Sequence, residues 1–159
     1  MKKLNNKGFT LAELIVVIAI LGILSGVASA SISQIFASKT RKFIDDCDAI
    51  LTRCRVETLS GAPSGTHVEI GLDDGKYYVA FFDDDDADAT PIKKAILEDS
   101  SAICSYTIGT GTTAELTNGK ISISYNRTTG AMNENYTAID VSGRKIILEP
   151  ATGYHRVGG

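Results

Sequence analysis

The stretch Lys7-Gly8-Phe9-Thr10-Leu11-Ala12-Glu13-Leu14-Ile15-Val16-Val17-Ile18-Ala19-Ile20-Leu21-Gly22-Ile23-Leu24 decides how the rest of the chain is read. One carboxylate, Glu13, stands at the head of a long apolar run, and from Leu14 to Ser38 no side chain is charged. As a helix rising 1.5 Å per residue, that run is about 37 Å long, enough to cross a hydrocarbon core of about 30 Å. An ionised group in hydrocarbon is costly unless it finds a partner, so an acid at the edge of such a segment points to function. Lys2, Lys3 and Lys7 precede the run and favour a cytoplasmic amino terminus.

Three readings of this amino terminus compete. Ala28-Ser29-Ala30 is an A-x-A-like site after an apolar core, as in a cleaved secretory signal. A plain single-pass anchor is the second reading. Neither accounts for Glu13, or for the Gly8-Phe9 pair just before it. The third is a resemblance: Gly8-Phe9-Thr10-Leu11-Ala12-Glu13-Leu14-Ile15-Val16-Val17-Ile18 resembles the class III signal of type IV pilins and type II secretion pseudopilins. It is close over residues 7–32 and general beyond them.

The resemblance implies that a prepilin peptidase cuts between Gly8 and Phe9 and methylates the amine of Phe9. It also implies that Glu13 recruits the subunit to a growing filament, with the Phe9 amine of a neighbouring subunit as counter-charge. A buried carboxylate is tolerable only with such a partner. Within one helix residues four apart share a face, so Phe9 and Glu13 of the same chain also lie together. The implied partners are related pilin subunits, the prepilin peptidase, a pilus assembly platform and membrane lipids. The implied location is the cytoplasmic membrane for the precursor and an extracellular filament for the mature subunit. Loss of Lys2, Lys3 and Lys7 at the cut takes the net charge from −3 to −6.

Gly22, Gly26 and Ala30 recur every fourth residue, a small-residue stripe that lets helices approach closely, and Ser25, Ser29 and Ser33 lie beside it. Many members of the family carry proline where Ala30 stands, so the resemblance supplies no proline kink here.

Beyond Ser38 the pattern turns amphipathic. Phe43, Cys47, Ile50 and Cys54 follow 4-3-4 spacing, flanked by Ile44 and Leu51, and charged side chains fill the other faces. No proline interrupts residues 9–62, so the pattern predicts one helix of about 50 residues, near 75 Å. Ser60-Gly61-Ala62-Pro63 supplies its stop signals. Cys47 and Cys54, seven apart on that helix, are about 10 Å from each other and cannot pair. All three cysteines read as small buried thiols, with a bond from either helix cysteine to Cys104 left open by the spacing.

The remaining chain reads as β structure. Val68, Ile70 and Leu72 alternate before the turn Asp73-Asp74-Gly75, and Lys76 to Phe82 follows as the second strand of a hairpin. Ile92 to Leu97 suits either a strand or a helical turn. Ile103 to Ile108 and Lys120 to Tyr125 read as strands around a polar loop from Gly109 to Gly119. Tyr136 to Val141, the turn Ser142-Gly143 and Lys145 to Leu148 make a last hairpin. A half-apolar sheet must pack on something apolar, and the stripe on residues 43–54 is the available cover. The expected class is α+β, a long amino-terminal helix packed against a carboxy-terminal antiparallel β-sheet head, which is also the pilin fold that the resemblance implies. The expected segments are a cleaved leader over 1–8, a transmembrane and filament-core half-helix over 9–38, an amphipathic half over 39–60 and a β-sheet head over 61–159.

Little else in the sequence carries chemistry. His67 and His155 are its two histidines, no Cys/His spacing suggests zinc, and no nucleophile has an evident base. No cofactor and no reaction are expected. The acidic balance gives no support to nucleic-acid binding, which wants a basic patch. Asp84, Asp86 and Asp88 have the D-x-D-x-D opening of a calcium loop, but Ala89 stands where that pattern wants glycine and Ala95 where it wants glutamate. The run reads as a solvated acidic loop, although some pseudopilins bind calcium in the head. The function expected is that of a structural subunit, a pilin or minor pilin of a type IV pilus. A pseudopilin of a type II secretion or competence apparatus shares the same amino-terminal logic. A membrane-tethered ligand-binding module is the reading from another class.

Overall fold

The structure, a computed structural model, describes residues 10–86, 89–99 and 101–158, the side chains of 27–33 excepted. It is an α+β fold of one long helix and β strands, and the chain divides into two compact units, Met1–Ala37 and Ser38–Gly159. Helix α1 runs Leu11–Leu59. Its carboxy-terminal end is a Schellman cap: Gly61 turns left-handed at φ 94°, Ala62 N–H donates to Glu57 O at 3.0 Å, and Gly61 N–H donates to Thr58 O at 3.3 Å. The glycine expected to stop the helix thus stops it by taking a conformation that other residues avoid.

In the second unit, β1 (His67–Asp73), β2 (Lys76–Phe82), β3 (Lys93–Ile96) and β6 (Lys120–Ser124) form one antiparallel sheet in the order β3-β2-β1-β6. Strands β4 (Cys104–Ile108), β5 (Thr112–Glu115), β7 (Tyr136–Val141), β8 (Arg144–Glu149) and β9 (Tyr154–Gly158) form another, in the order β5-β4-β7-β8-β9. The head therefore holds two sheets where one was expected. The segment between β3 and β4 carries the chain across without a ladder, and β6 returns to β1 rather than joining β4.

Both two-residue hairpin turns follow from sequence. Asp74-Gly75 (φ 48° and 71°) and Ser142-Gly143 (φ 51° and 87°) hold two successive positive φ values, the type I′ pattern that matches strand twist. The undecided segment at Ile92 to Leu97 is strand β3, paired with β2 through Val79–Ala95 and Phe81–Lys93. The loop expected over Gly109 to Gly119 contains β5, and the tail folds back as β9.

One core joins helix and sheets. Phe43, Ile44, Cys47, Ile50, Leu51 and Cys54 of α1 are buried against Val68, Ile70, Val79 and Phe81 of the first sheet and Ile139, Val141, Ile146 and Leu148 of the second. The 4-3-4 stripe is thus the face of α1 that the sheets cover, and Thr40 and Thr58 extend the buried face at its two ends. Thr58 sits there without an open hydrogen bond because its hydroxyl donates to Cys54 O at 2.8 Å.

Candidate functional site

The amino-terminal unit is built from a cap and an apolar helical surface. Thr10 is the N-cap of α1, and Glu13 reaches back to it: Thr10 N–H and Oγ1–H donate to Glu13 Oε2 at 2.8 and 2.9 Å. Glu13 N–H donates to Thr10 Oγ1 at 3.3 Å. This is a capping box, in which two otherwise orphaned backbone donors are satisfied reciprocally. The signal, Thr three residues before Glu ahead of an apolar run, stands in the sequence, and a reading focused on charge passed over it. Among the described residues, both bonds that the Glu13 carboxylate accepts end on Oε2.

Behind the cap the apolar side chains lie open. Leu14, Ile15, Val16, Val17, Ile18, Ile20, Leu21, Ile23 and Leu24 are all 47–70% exposed within the single chain. Gly22 and Gly26 present an open surface too, since a Cβ built on either would meet no atom within 4 Å. No helix is long and apolar enough to cross a membrane among the described residues. The uncharged run expected to do so includes 27–33, whose side chains are not among them. Gly8 and Phe9, the expected cleavage pair, and the side chain of Ala30 also lie outside the described residues.

In the acidic loop one carboxylate, that of Asp84, holds its own turn. Asp84 Oδ1 accepts from Asp85 N–H at 2.7 Å and from Asp86 N–H at 3.3 Å, an Asx-type turn. The loop leans on Gly65, where a Cβ would come within 2.8 Å of Asp85 N. Asp88 lies outside the described residues, and among those described no three His, Cys, Asp or Glu side chains are grouped to hold a metal ion.

The cysteines are three free, buried thiols. Burial pushes Cys54 and Cys104 up to about 12, and Cys47 well above its ordinary value, so they are weak nucleophiles. Each histidine is held by neighbours. His67 stacks on Phe82 with ring centroids 5.0 Å apart, and its Nδ1 lies 2.6 Å from Gly65 O. His155 Nε2 lies 3.1 Å from Thr52 Oγ1 and 3.2 Å from Asp48 O, joining β9 to α1.

Sequence reading missed two polar groups on the head. Glu69 is buried on the outer face of the first sheet, where Lys120 pairs with it and His67 Nε2 stands 3.4 Å away. Strand alternation puts Glu69 on the face opposite Val68, Ile70 and Leu72. Tyr78 instead folds over Gly71, whose missing side chain makes room for the ring. Tyr125 is buried beside a polar cleft, and among the described residues its hydroxyl has no hydrogen-bond partner.

Residues 3–29 match the family model of the prokaryotic N-terminal methylation motif. No curated protein and no solved structure matches the chain. The matched segment ends inside α1, ahead of the nine strands among the described residues, so the β head rests on its own geometry. The match covers Gly8 to Ile18, the stretch that resembles the class III signal, and it supports a precursor of that kind.

Proposed function

We propose that this chain is a structural subunit, a pilin or minor pilin, of a type IV pilus, stored in the cytoplasmic membrane as a single-pass precursor and polymerised into an extracellular filament. The observation that carries the reading is the methylation motif at residues 3–29, running into an apolar helical surface left open in the single chain. On this reading 1–8 is a leader removed by prepilin peptidase between Gly8 and Phe9, and Phe9 is N-methylated. Residues 9–38 are the membrane and filament-core segment, 39–60 the amphipathic part of the helix and 61–159 the head. Lipid covers the exposed apolar side chains before assembly, and the same segment of neighbouring subunits covers them after it. Gly22, Gly26 and Ala30 allow the close approach that this packing needs, since small residues bring helix backbones together where no hydrophobic effect drives them. The Glu13 oxygen that the cap does not use meets the methylated amine of Phe9 on the next subunit, which supplies the counter-charge a buried carboxylate requires.

The role is structural rather than catalytic. Its partners are identical or related pilin subunits, the prepilin peptidase, an assembly platform and lipid. The test is the mature amino terminus, read by mass spectrometry of filaments or membranes. N-methylated Phe9 is expected; a start at Ser31 would mean an ordinary secretory signal and overturn the proposal. A pseudopilin of a secretion or competence apparatus would give the same mature terminus, and long fibres shed from the cell surface separate the pilus from it.

A further inference from the structure

The head carries two Asn-x-Thr triplets, Asn126-Arg127-Thr128 and Asn135-Tyr136-Thr137. In an exported chain that triplet is the acceptor pattern for an N-linked glycan, where a surface loop presents it. A pattern this short recurs by chance, so the folded geometry of each triplet decides whether it can serve.

The first triplet stands open. Tyr125 and Met132 pair as an isolated antiparallel bridge, and the residues between them make a short loop whose positions 126–129 are all exposed. Asn126 Oδ1 accepts from Thr128 N–H at 2.9 Å and from Thr129 N–H at 3.1 Å, an Asx turn across the triplet itself. Both donors are backbone amides, so the oxygen end of the side chain is fixed and Nδ2 is turned away from them. Among the described residues neither Nδ2 of Asn126 nor the Thr128 hydroxyl has a hydrogen-bond partner.

The second triplet is tied to its sheet. Thr137 lies in β7, and its hydroxyl donates to Gly109 O at 3.0 Å. Asn135 O accepts from Gly109 N–H at 2.8 Å. Tyr136 between them packs edge-on against Tyr106, with ring centroids 5.6 Å apart. A transferase could read this triplet only by peeling it from β4.

We propose that Asn126 is an N-glycosylation site, which takes its glycan from a polyprenyl-diphosphate-linked oligosaccharide on the outer side of the cytoplasmic membrane. The bond from Nδ2 to C1 of the sugar forms as the bond from C1 to the diphosphate oxygen breaks. The diphosphate leaves with the electron pair, and a base of the transferase takes one amide proton. Two hydrogen bonds into Oδ1 draw charge from the amide and ease the loss of that proton. The free Thr128 hydroxyl is the group by which the transferase knows the triplet. The site rests on the export proposed above, since a donor of this class is used outside the cytoplasm.

The test is glycopeptide mass spectrometry of the full chain isolated from the cells that make it, with the mature amino terminus read on the same sample. A glycan on Asn126 is expected, with Asn135 bare. Asn126→Gln and Thr128→Ala should each abolish it, and Thr128→Ser should restore it in part. Thr128→Ala keeps the backbone N–H that Asn126 accepts, so its melting temperature should equal that of the parent chain, and a lost glycan then reports recognition rather than the turn. A bare Asn126 overturns the proposal, as does a glycan that persists in Thr128→Ala or sits on Asn135 instead. Methylated Phe9 with a bare Asn126 removes the glycan alone and leaves the pilin reading in place; a start at Ser31 with a glycan on Asn126 does the reverse.

Discussion

Replacing Gly153 by alanine should open the carboxy-terminal part of the head. Gly153 sits at φ 66° in the turn before β9, a left-handed conformation that costs other residues about 1–2 kcal/mol. Its added Cβ would overlap the carbonyl oxygen of Gly130, with the carbonyl carbon at 2.9 Å and Arg55 Nε at 3.1 Å. Those neighbours cannot yield cheaply. Gly130 is held by its N–H bond to Asn126 O at 2.8 Å, and the same loop is tied to the turn by Met132 N–H to Pro150 O at 2.8 Å. Arg55 spans both pieces, donating from Nε to Gly130 O at 3.2 Å and from Nη2 to Thr152 O at 3.0 Å. Separating loop and turn breaks both bonds. A bond to a charged group is worth about 1.5–3 kcal/mol when buried, and the lower end applies to this half-exposed arginine. Two such bonds and the backbone cost together come to about 4–5 kcal/mol. Gly143→Ala is the control: its φ is 87°, but its Cβ would meet nothing within 4 Å, so only the backbone cost of about 1–2 kcal/mol applies. Urea unfolding of the full chain in detergent, followed by far-ultraviolet circular dichroism, measures both. Hydrogen exchange should quicken over 130–133 and 149–158 in the Gly153 variant alone. A difference between the two variants below about 1 kcal/mol would refute the reasoning.

Two further outcomes follow from the cap and the thiols. Glu13→Gln keeps an acceptor for Thr10 and loses the charge, whereas Glu13→Ala loses both; processing should survive in each, and filament incorporation should fail in each. Normal incorporation of the glutamine variant would show that Glu13 serves to start the helix, not to pair with an amine. Iodoacetamide at pH 8 should leave Cys47, Cys54 and Cys104 unlabelled in the native chain and label all three in urea. The raised thiols also set a sign. From an ordinary value near 9, burial holds Cys54 and Cys104 protonated to about 12, so in that window the unfolded chain binds fewer protons than the native one. Their contribution to stability is therefore complete below pH 9 and falls as pH rises toward 12. Replacing all three by alanine should flatten that alkaline loss, as read from melting temperature against pH.

The parts of the head that were legible in the sequence are those where one local signal suffices. Asp74-Gly75 and Ser142-Gly143 specify their turns by conformation alone, and the flanking alternation sets which face is buried. The stripe from Phe43 to Cys54 was legible because a 3.6-residue period survives whatever covers it. Strands β5 and β9 were not. Thr112 to Glu115 and Tyr154 to Gly158 are edge strands whose side chains are mostly exposed, so the partner strand, not their own side chains, makes them strands. The division into two sheets was hidden for the same reason, since strand order depends on which edges meet and no edge announces its neighbour. Glu69 was missed because period-2 reasoning assigns a face without asking what else lies over it, whereas Tyr125 continues the buried alternation of Ile121 and Ile123 and only its unpaired hydroxyl escapes a local reading. Tyr78 over Gly71 and the 126–134 loop beside Tyr125 are both tertiary events.

Glu13 shows how one residue can satisfy two readings at once. The charge argument asks what partner an acid beside an apolar run could have, and the capping argument asks which side chain satisfies the first free amides of a helix. The geometry answers the second with Oε2 alone. A helix that starts at Leu11 behind the Thr10 cap holds this carboxylate in its first turn. On the assembly proposed above, an amine docking from another subunit would meet a carboxylate already oriented by Thr10, so little side-chain freedom would be lost in forming the pair. This makes Thr10 part of the same device: Thr10→Val should leave the charge of Glu13 in place yet weaken incorporation, because the carboxylate would have to be ordered at the moment of docking.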